Sequence, residues 1–87
     1  MKYSPQIGDK IEVTQPHLKW DLCIYQVTKT SIEGDSRGQT ELSTLETHEK
    51  GVQTNRYELS ENTIVVDSKW FDELLTKRNI RKLDDLK

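Results

Sequence analysis

The stretch DSKWFDELL, residues 67–75, decides how this chain is organised. Asp67 or Ser68 can cap a helix, because a short polar side chain accepts a hydrogen bond from the free backbone N–H groups of the first turn. Asp72 and Glu73 complement the positive end of the helix dipole. Four large apolar side chains fall on one side of the predicted helix: Trp70, Phe71, Leu74 and Leu75. The stretch therefore predicts a helix that packs on the rest of the chain.

The chain beyond this helix does not continue the same apolar face. Ile80, Leu83 and Leu86 would point roughly 150° away from the first apolar group at 100° per residue. A break at Arg78-Asn79 removes the conflict, because Asn tolerates the left-handed conformation that ends helices. The spacing predicts a helix, a turn at Asn79 and a short second helix.

The 66 residues before Asp67 are rich in Thr, Val, Ile and Tyr and are interrupted by Gly, Asn and Pro. Alternating apolar and polar positions predict half-buried strands. The predicted strands are residues 10–14, 22–29, 39–46, 55–59 and 63–66. Tyr57 and Leu59 are expected to face inward. Turns are predicted at residues 48–51 and, as a hairpin loop with Gly at either end, at residues 34–38.

Together these patterns predict a mainly β fold with a helical C-terminus. Short strands separated by frequent turns fit a small antiparallel SH3-like or Sm-like barrel, or a bent sheet of five to six strands, followed by one or two short helices. Residues 1–66 would form the barrel-like region, and residues 67–87 a helical segment that packs on it. The chain of 87 residues has room for one domain.

Composition and charge argue against several classes of protein. The net charge of −2 argues against a general nucleic-acid-binding protein, which usually has a basic balance. Cys23 is the only cysteine, so neither an internal disulfide nor a cysteine-based zinc cluster can form. The polar N-terminus is unlike a signal peptide, and no apolar run is long enough to span a membrane. These features predict a cytoplasmic protein.

No arrangement of residues predicts catalysis, a metal or a cofactor. His17 and His48 stand far apart in loop-like contexts, without further ligands at short spacing. Cys23 lies within an apolar strand, where thiols are usually buried and unreactive. The loop at residues 34–38 lacks the glycine-lysine pattern that cradles phosphate. We therefore expect a protein that is not an enzyme.

The favoured hypothesis is an intracellular protein-binding module: an adaptor, regulator or inhibitor of a larger complex. Compact, acidic proteins of this length without motifs also suit phage or plasmid genes. The expected contacts on the β region are Trp20, Tyr25 and Tyr57, because aromatic residues are common at binding hot spots. The expected contacts on the tail are Arg78, Arg81, Lys82, Leu83 and Leu86.

Two alternatives remain open at the tail. Arg78, Arg81 and Lys82 would share one face of a continuous helix, which would allow a small barrel to bind nucleic acid through this basic patch. Ile80, Leu83 and Leu86 could instead form a partner surface or the contact of a homodimer through the C-terminal helix.

Overall fold

The structure is a computed structural model that describes residues 5–30 and 39–83. The loop predicted at residues 34–38 and the contact predicted at Leu86 lie outside these residues. In chain order the elements are β1 (Lys10–Thr14), β2 (Leu22–Thr30), β3 (Thr40–Glu49), β4 (Val52–Arg56), β5 (Thr63–Val66), α1 (Ser68–Thr76) and β6 (Ile80–Leu83).

The six strands form one antiparallel sheet. The strands lie in the order β4-β3-β2-β1-β6, and β5 pairs with β3. One long edge of β3 pairs with β2, whereas its other edge is divided: β5 pairs with the half from Thr40 to Ser43, and β4 with the half from Glu46 to Glu49. The predicted mainly antiparallel fold with a C-terminal helix is confirmed. The sheet does not close into a barrel among the described residues.

The core lies on one face of this sheet, beneath α1. Alternate residues of β1 and β2, together with Leu42 of β3, supply its strand side chains, because successive residues of a strand point to opposite faces. The buried apolar residues are Ile11, Val13, Cys23, Tyr25, Val27, Leu42, Phe71 and Leu74. Trp70 packs against this cluster, with its ring edge-on to Tyr25 at a centroid distance of 6.2 Å. The prediction that the apolar side of the helix faces the sheet is confirmed for Phe71 and Leu74.

The helix begins and ends close to where the sequence predicts. The side chain of Asp67 accepts a hydrogen bond from the backbone N–H of Trp70 at 3.1 Å, which caps the first turn. The helix ends at Thr76, and Arg78 takes the left-handed conformation with φ 57°. The chain therefore breaks at the predicted place, but Arg78 and not Asn79 is the left-handed residue. The backbone N–H of Asn79 then donates to the carbonyl of Leu74 at 2.9 Å.

The predicted second helix is wrong in its described part, because residues Ile80–Leu83 form strand β6. This strand pairs antiparallel with β1 and places Ile80 opposite Val13. Ile80 is partly buried against the core. Pairing with β1 satisfies backbone groups that a short isolated helix would leave to water, and short helices are marginal without tertiary packing.

The strand predicted at residues 55–59 is also shifted. It runs over Val52–Arg56, because Lys50 and Gly51 form a two-residue turn with φ 53° and 85° that sets Val52 opposite Glu49. Positive φ at both turn residues matches the twist of the flanking strands. Leu59 is 53% exposed and does not face inward, since it lies in the loop that leads to β5.

Candidate protein-binding face

The sheet face opposite the core, here called the outer face, carries a charged row across five strands. Strand pairing places Glu12 between Arg81 and Ile24, and Glu46 between Ile24 and Arg56. Residues opposite each other in antiparallel strands point to the same side of the sheet. The row therefore has an apolar centre, Ile24, with one carboxylate on each side and one arginine at each end.

A second row lies beside the first, towards the start of β2. Leu22 has Thr14 on one side and His48 on the other. Leu22 and Ile24 are both partly buried, so their apolar surfaces remain within reach of solvent between polar neighbours. The two rows together form a shallow floor of aliphatic side chains bordered by carboxylates, a hydroxyl and an imidazole.

A pocket of about 300 Å³ opens above this floor. Its described lining residues are Glu12, Thr14, Asp21, Leu22, Ile24, His48 and Gly51. Two of these side chains are carboxylates, and none of the described lining residues is Lys or Arg. The pocket is therefore apolar at its floor and acidic at its rim.

A hydrogen bond and an ion pair involve the two glutamates of the outer face. His48 Nε2 lies 3.0 Å from Glu46 Oε1, and both side chains are partly buried. Arg81 lies 3.1 Å from Glu12 Oε1, with its own side chain 69% exposed. An exposed pair of this kind contributes little to stability. The carboxylate of Glu12 has a second oxygen and further acceptor sites for another cation.

The β1–β2 loop closes one end of the pocket and is tied to the β3–β4 turn. The carboxylate of Asp21 accepts the backbone N–H of Lys50 at 3.2 and 3.3 Å from its two oxygens. The carbonyl of Asp21 also accepts the N–H of Gln15 at 2.8 Å, which pins the two ends of the loop together. These bonds fix the backbone next to Trp20.

Trp20 and Leu18 expose apolar surface on this loop. Trp20 is 40% exposed and Leu18 is 47% exposed. The ammonium of Lys19 lies 5.8 Å from the centre of the Trp20 ring, a distance at which a cation is attracted to the ring face. Large apolar side chains on a loop held by hydrogen bonds are typical of a recognition surface.

The structure separates the three predicted aromatic contacts. Trp20 is exposed on the β1–β2 loop, one residue before the pocket-lining Asp21, whereas Tyr25 is buried in the core. Burial, the charge of the neighbouring Cys23 and a hydrogen bond to it hold the pKa of Tyr25 well above its ordinary value. Tyr57 is partly buried beyond the far end of β4, where its N–H donates to the carbonyl of Leu45 at 2.8 Å. None of the three is among the described lining residues of the pocket, but Trp20 directly precedes one of them, Asp21.

The predicted tail contacts do not share one helical face. Arg81 and Lys82 are successive residues of β6 and point to opposite sides of the sheet. Each lies near a carboxylate: Arg81 at 3.1 Å from Glu12, and Lys82 at 3.6 Å from Asp9. Arg78 follows the helix, and Leu83 is partly buried opposite Lys10.

Sequence reasoning missed Glu12, Glu46 and His48 as site residues. Each is an ordinary polar residue within a strand, and strand register alone brings the three together. One signal was visible: Leu22 and Ile24 alternate with the core residues of β2, so they had to lie on the opposite face.

A larger groove of about 600 Å³ lies beside the end of α1. Its described lining residues are Asp72, Leu75, Thr76, Arg78 and Ile80. It lies close to the described end of the chain at Leu83. We favour the outer-face pocket as the candidate site, because one of its lining residues, Asp21, directly follows the exposed Trp20.

No group of three or more His, Cys, Asp or Glu side chains among residues 5–30 and 39–83 could hold a metal ion. In the same part of the chain, no helix has the length and apolar character needed to cross a membrane. Comparison of the chain with protein-family models, curated proteins and solved structures found no match.

Proposed function

We propose that this chain is a non-enzymatic protein-binding module that acts as an adaptor, regulator or inhibitor of a larger complex. The observation that carries the proposal is the exposure of Trp20 and Leu18 on a loop fixed by Asp21, a residue that also lines a pocket with an apolar floor. Tryptophan is enriched at binding hot spots, where a central apolar anchor is surrounded by polar contacts.

The fold is suited to this role. The proposal includes a likeness in architecture to Src-homology-type barrels. This likeness is supported by the order of the strands, in which β1 to β4 form a meander and β6 returns to pair with β1. We also place the protein in the cytoplasm, because its single cysteine is buried and cannot form an internal disulfide.

Nucleic-acid binding is the weaker hypothesis. It relies on a basic patch, but Arg81 and Lys82 each lie near a carboxylate and point in opposite directions. The net charge of −2 also opposes the electrostatic attraction to phosphates that dominates such binding.

The proposal is tested by passing tagged protein through lysate of the native host after nuclease treatment. We expect one protein to be retained at stoichiometric amounts by the wild type and lost by Trp20→Ala. Leu59→Ala is the matched control, since it removes an exposed apolar side chain in the loop before β5. Equal retention by both variants would refute the proposed surface. Retention that disappears with nuclease would favour nucleic acid.

A further inference from the structure

We infer that the outer-face pocket takes the side chain of an arginine or lysine in a basic segment of the partner. The inference rests on the proposed function and names the chemistry of the partner at that site. It is carried by the placement of Glu12 and Glu46 on either side of Ile24.

The spacing of the two carboxylates suits one cation between them. Glu12 and Glu46 belong to strands on either side of β2, so their backbones lie roughly 10 Å apart at the usual spacing of neighbouring strands. Their side chains rise from the same face as Ile24. A guanidinium or ammonium group above Ile24 can therefore approach both carboxylates, and a charged hydrogen bond of this kind is among the stronger polar contacts.

The apolar floor suits the stem of the same side chain. Leu22 and Ile24 are adjacent on the outer face of β2 and line the pocket. Arginine and lysine lay their methylene groups along apolar surface while the charged end stays with polar partners. The volume of about 300 Å³ is at the lower limit of ligand pockets, which fits a single side chain better than a cofactor.

The charged side chains that line the pocket favour a cation over an anion, while Arg81 and Arg56 lie at the outer ends of the row. The pocket rim carries Glu12 and Asp21, and no Lys or Arg is among its described lining residues. Arg81 holds Glu12 from the outside through an exposed pair, and Glu46 contacts His48. An incoming cation can share these carboxylates, because each has two oxygens and further acceptor sites. An acidic segment would meet repulsion at the same rim.

The test is a titration of the wild-type chain followed by the backbone amide signals in NMR. The probe is an acetylated, amidated hexapeptide of alternating arginine and glycine. The control peptide carries citrulline at each arginine, which keeps the shape and removes the charge. We expect the arginine peptide to shift the signals of Glu12, Ile24, Glu46 and His48, and the citrulline peptide to bind at least several-fold more weakly.

Substitution of single glutamates tests whether the arginine peptide binds at the outer-face pocket. Glu12→Gln and Glu46→Gln should each weaken binding of the arginine peptide by roughly five- to tenfold, the range expected for loss of one charged contact. Glu73→Gln removes the same charge from an exposed position on α1, which packs on the opposite side of the sheet, and should leave binding unchanged. Equal binding of the two peptides, or shifts confined to other strands, would overturn the inference.

The test of the cation-binding pocket and the test of the protein-binding role can fail independently. A host protein that is lost by Trp20→Ala but retained by both Glu12→Gln and Glu46→Gln would overturn this inference and leave the binding role intact. The absence of any retained host protein would instead refute the binding role, while the peptide titration would still decide whether the pocket takes a cation.

Discussion

Val13 and Ile80 lie opposite each other in the ladder between β1 and β6. Val13 is almost fully buried, and Ile80 is partly buried against the same core. The contact attaches the end of the described chain to its first strand. It also shows why the segment after α1 is a strand: one apolar side chain reaches the core while the backbone pairs with β1.

Ile80→Ala should lower the free energy of unfolding by about 1–2 kcal/mol, because it removes apolar contacts at a partly buried position. Urea denaturation measures this loss. Lys82→Ala is the control on the same strand, and its exposed position should keep the change within about 0.5 kcal/mol. An equal effect of the two substitutions would contradict the docking of β6 on the core.

Asp67→Ala should destabilise the protein by about 1 kcal/mol, because its side chain caps α1 through the N–H of Trp70. Asp67→Asn keeps an oxygen acceptor and should retain most of the stability. Denaturation curves of the three proteins compare these values. If alanine and asparagine were equivalent, the cap would have no measurable role.

Arg78→Gly should raise the free energy of unfolding by about 0.5–1 kcal/mol. Arg78 has φ 57°, a left-handed conformation that glycine adopts without steric cost. The neighbouring Lys77 has φ −86° and ends the helix in a right-handed conformation. Lys77→Gly should therefore lower stability, because glycine adds freedom to the unfolded chain without relieving strain. Thermal and urea unfolding should show a stability above that of the wild type for Arg78→Gly and below it for Lys77→Gly.

Stability should fall at alkaline pH through Cys23 and Tyr25. Burial raises the pKa of the Cys23 thiol above its ordinary value of 9.0, and burial also raises the pKa of Tyr25 above its ordinary value of 10.0. The unfolded chain then loses these protons at lower pH than the folded one, so stability is intact below about pH 9 and declines as pH rises.

Tyr25→Phe supplies the control for this pH dependence. It removes the phenol and keeps the ring that packs on Trp70. Urea denaturation between pH 8 and about pH 11 should show a shallower decline in stability for the variant than for wild type. Identical slopes would mean that Tyr25 ionises as easily in the folded state as in the unfolded one.

The candidate site was less visible in the sequence than the fold. Trp20 could be selected because it is a large apolar residue in a predicted loop, and it is exposed one residue before the pocket-lining Asp21. Tyr25 was selected by the same reasoning for aromatic residues, yet strand alternation points it into the core. Glu12 and Glu46 are 34 positions apart, and no local pattern connects them.

Local sequence patterns were sufficient to predict the alternation of β1 and β2, the capped helix after Asp67 and the break at Arg78-Asn79. These depend on side chains within a few residues, whose capping, turn and alternation preferences act locally. Contacts between distant strands make Ile80–Leu83 a strand and place Glu12 and Glu46 on either side of Ile24. Both depend on which distant backbone lies alongside, because pairing energy and register arise between strands and not within them.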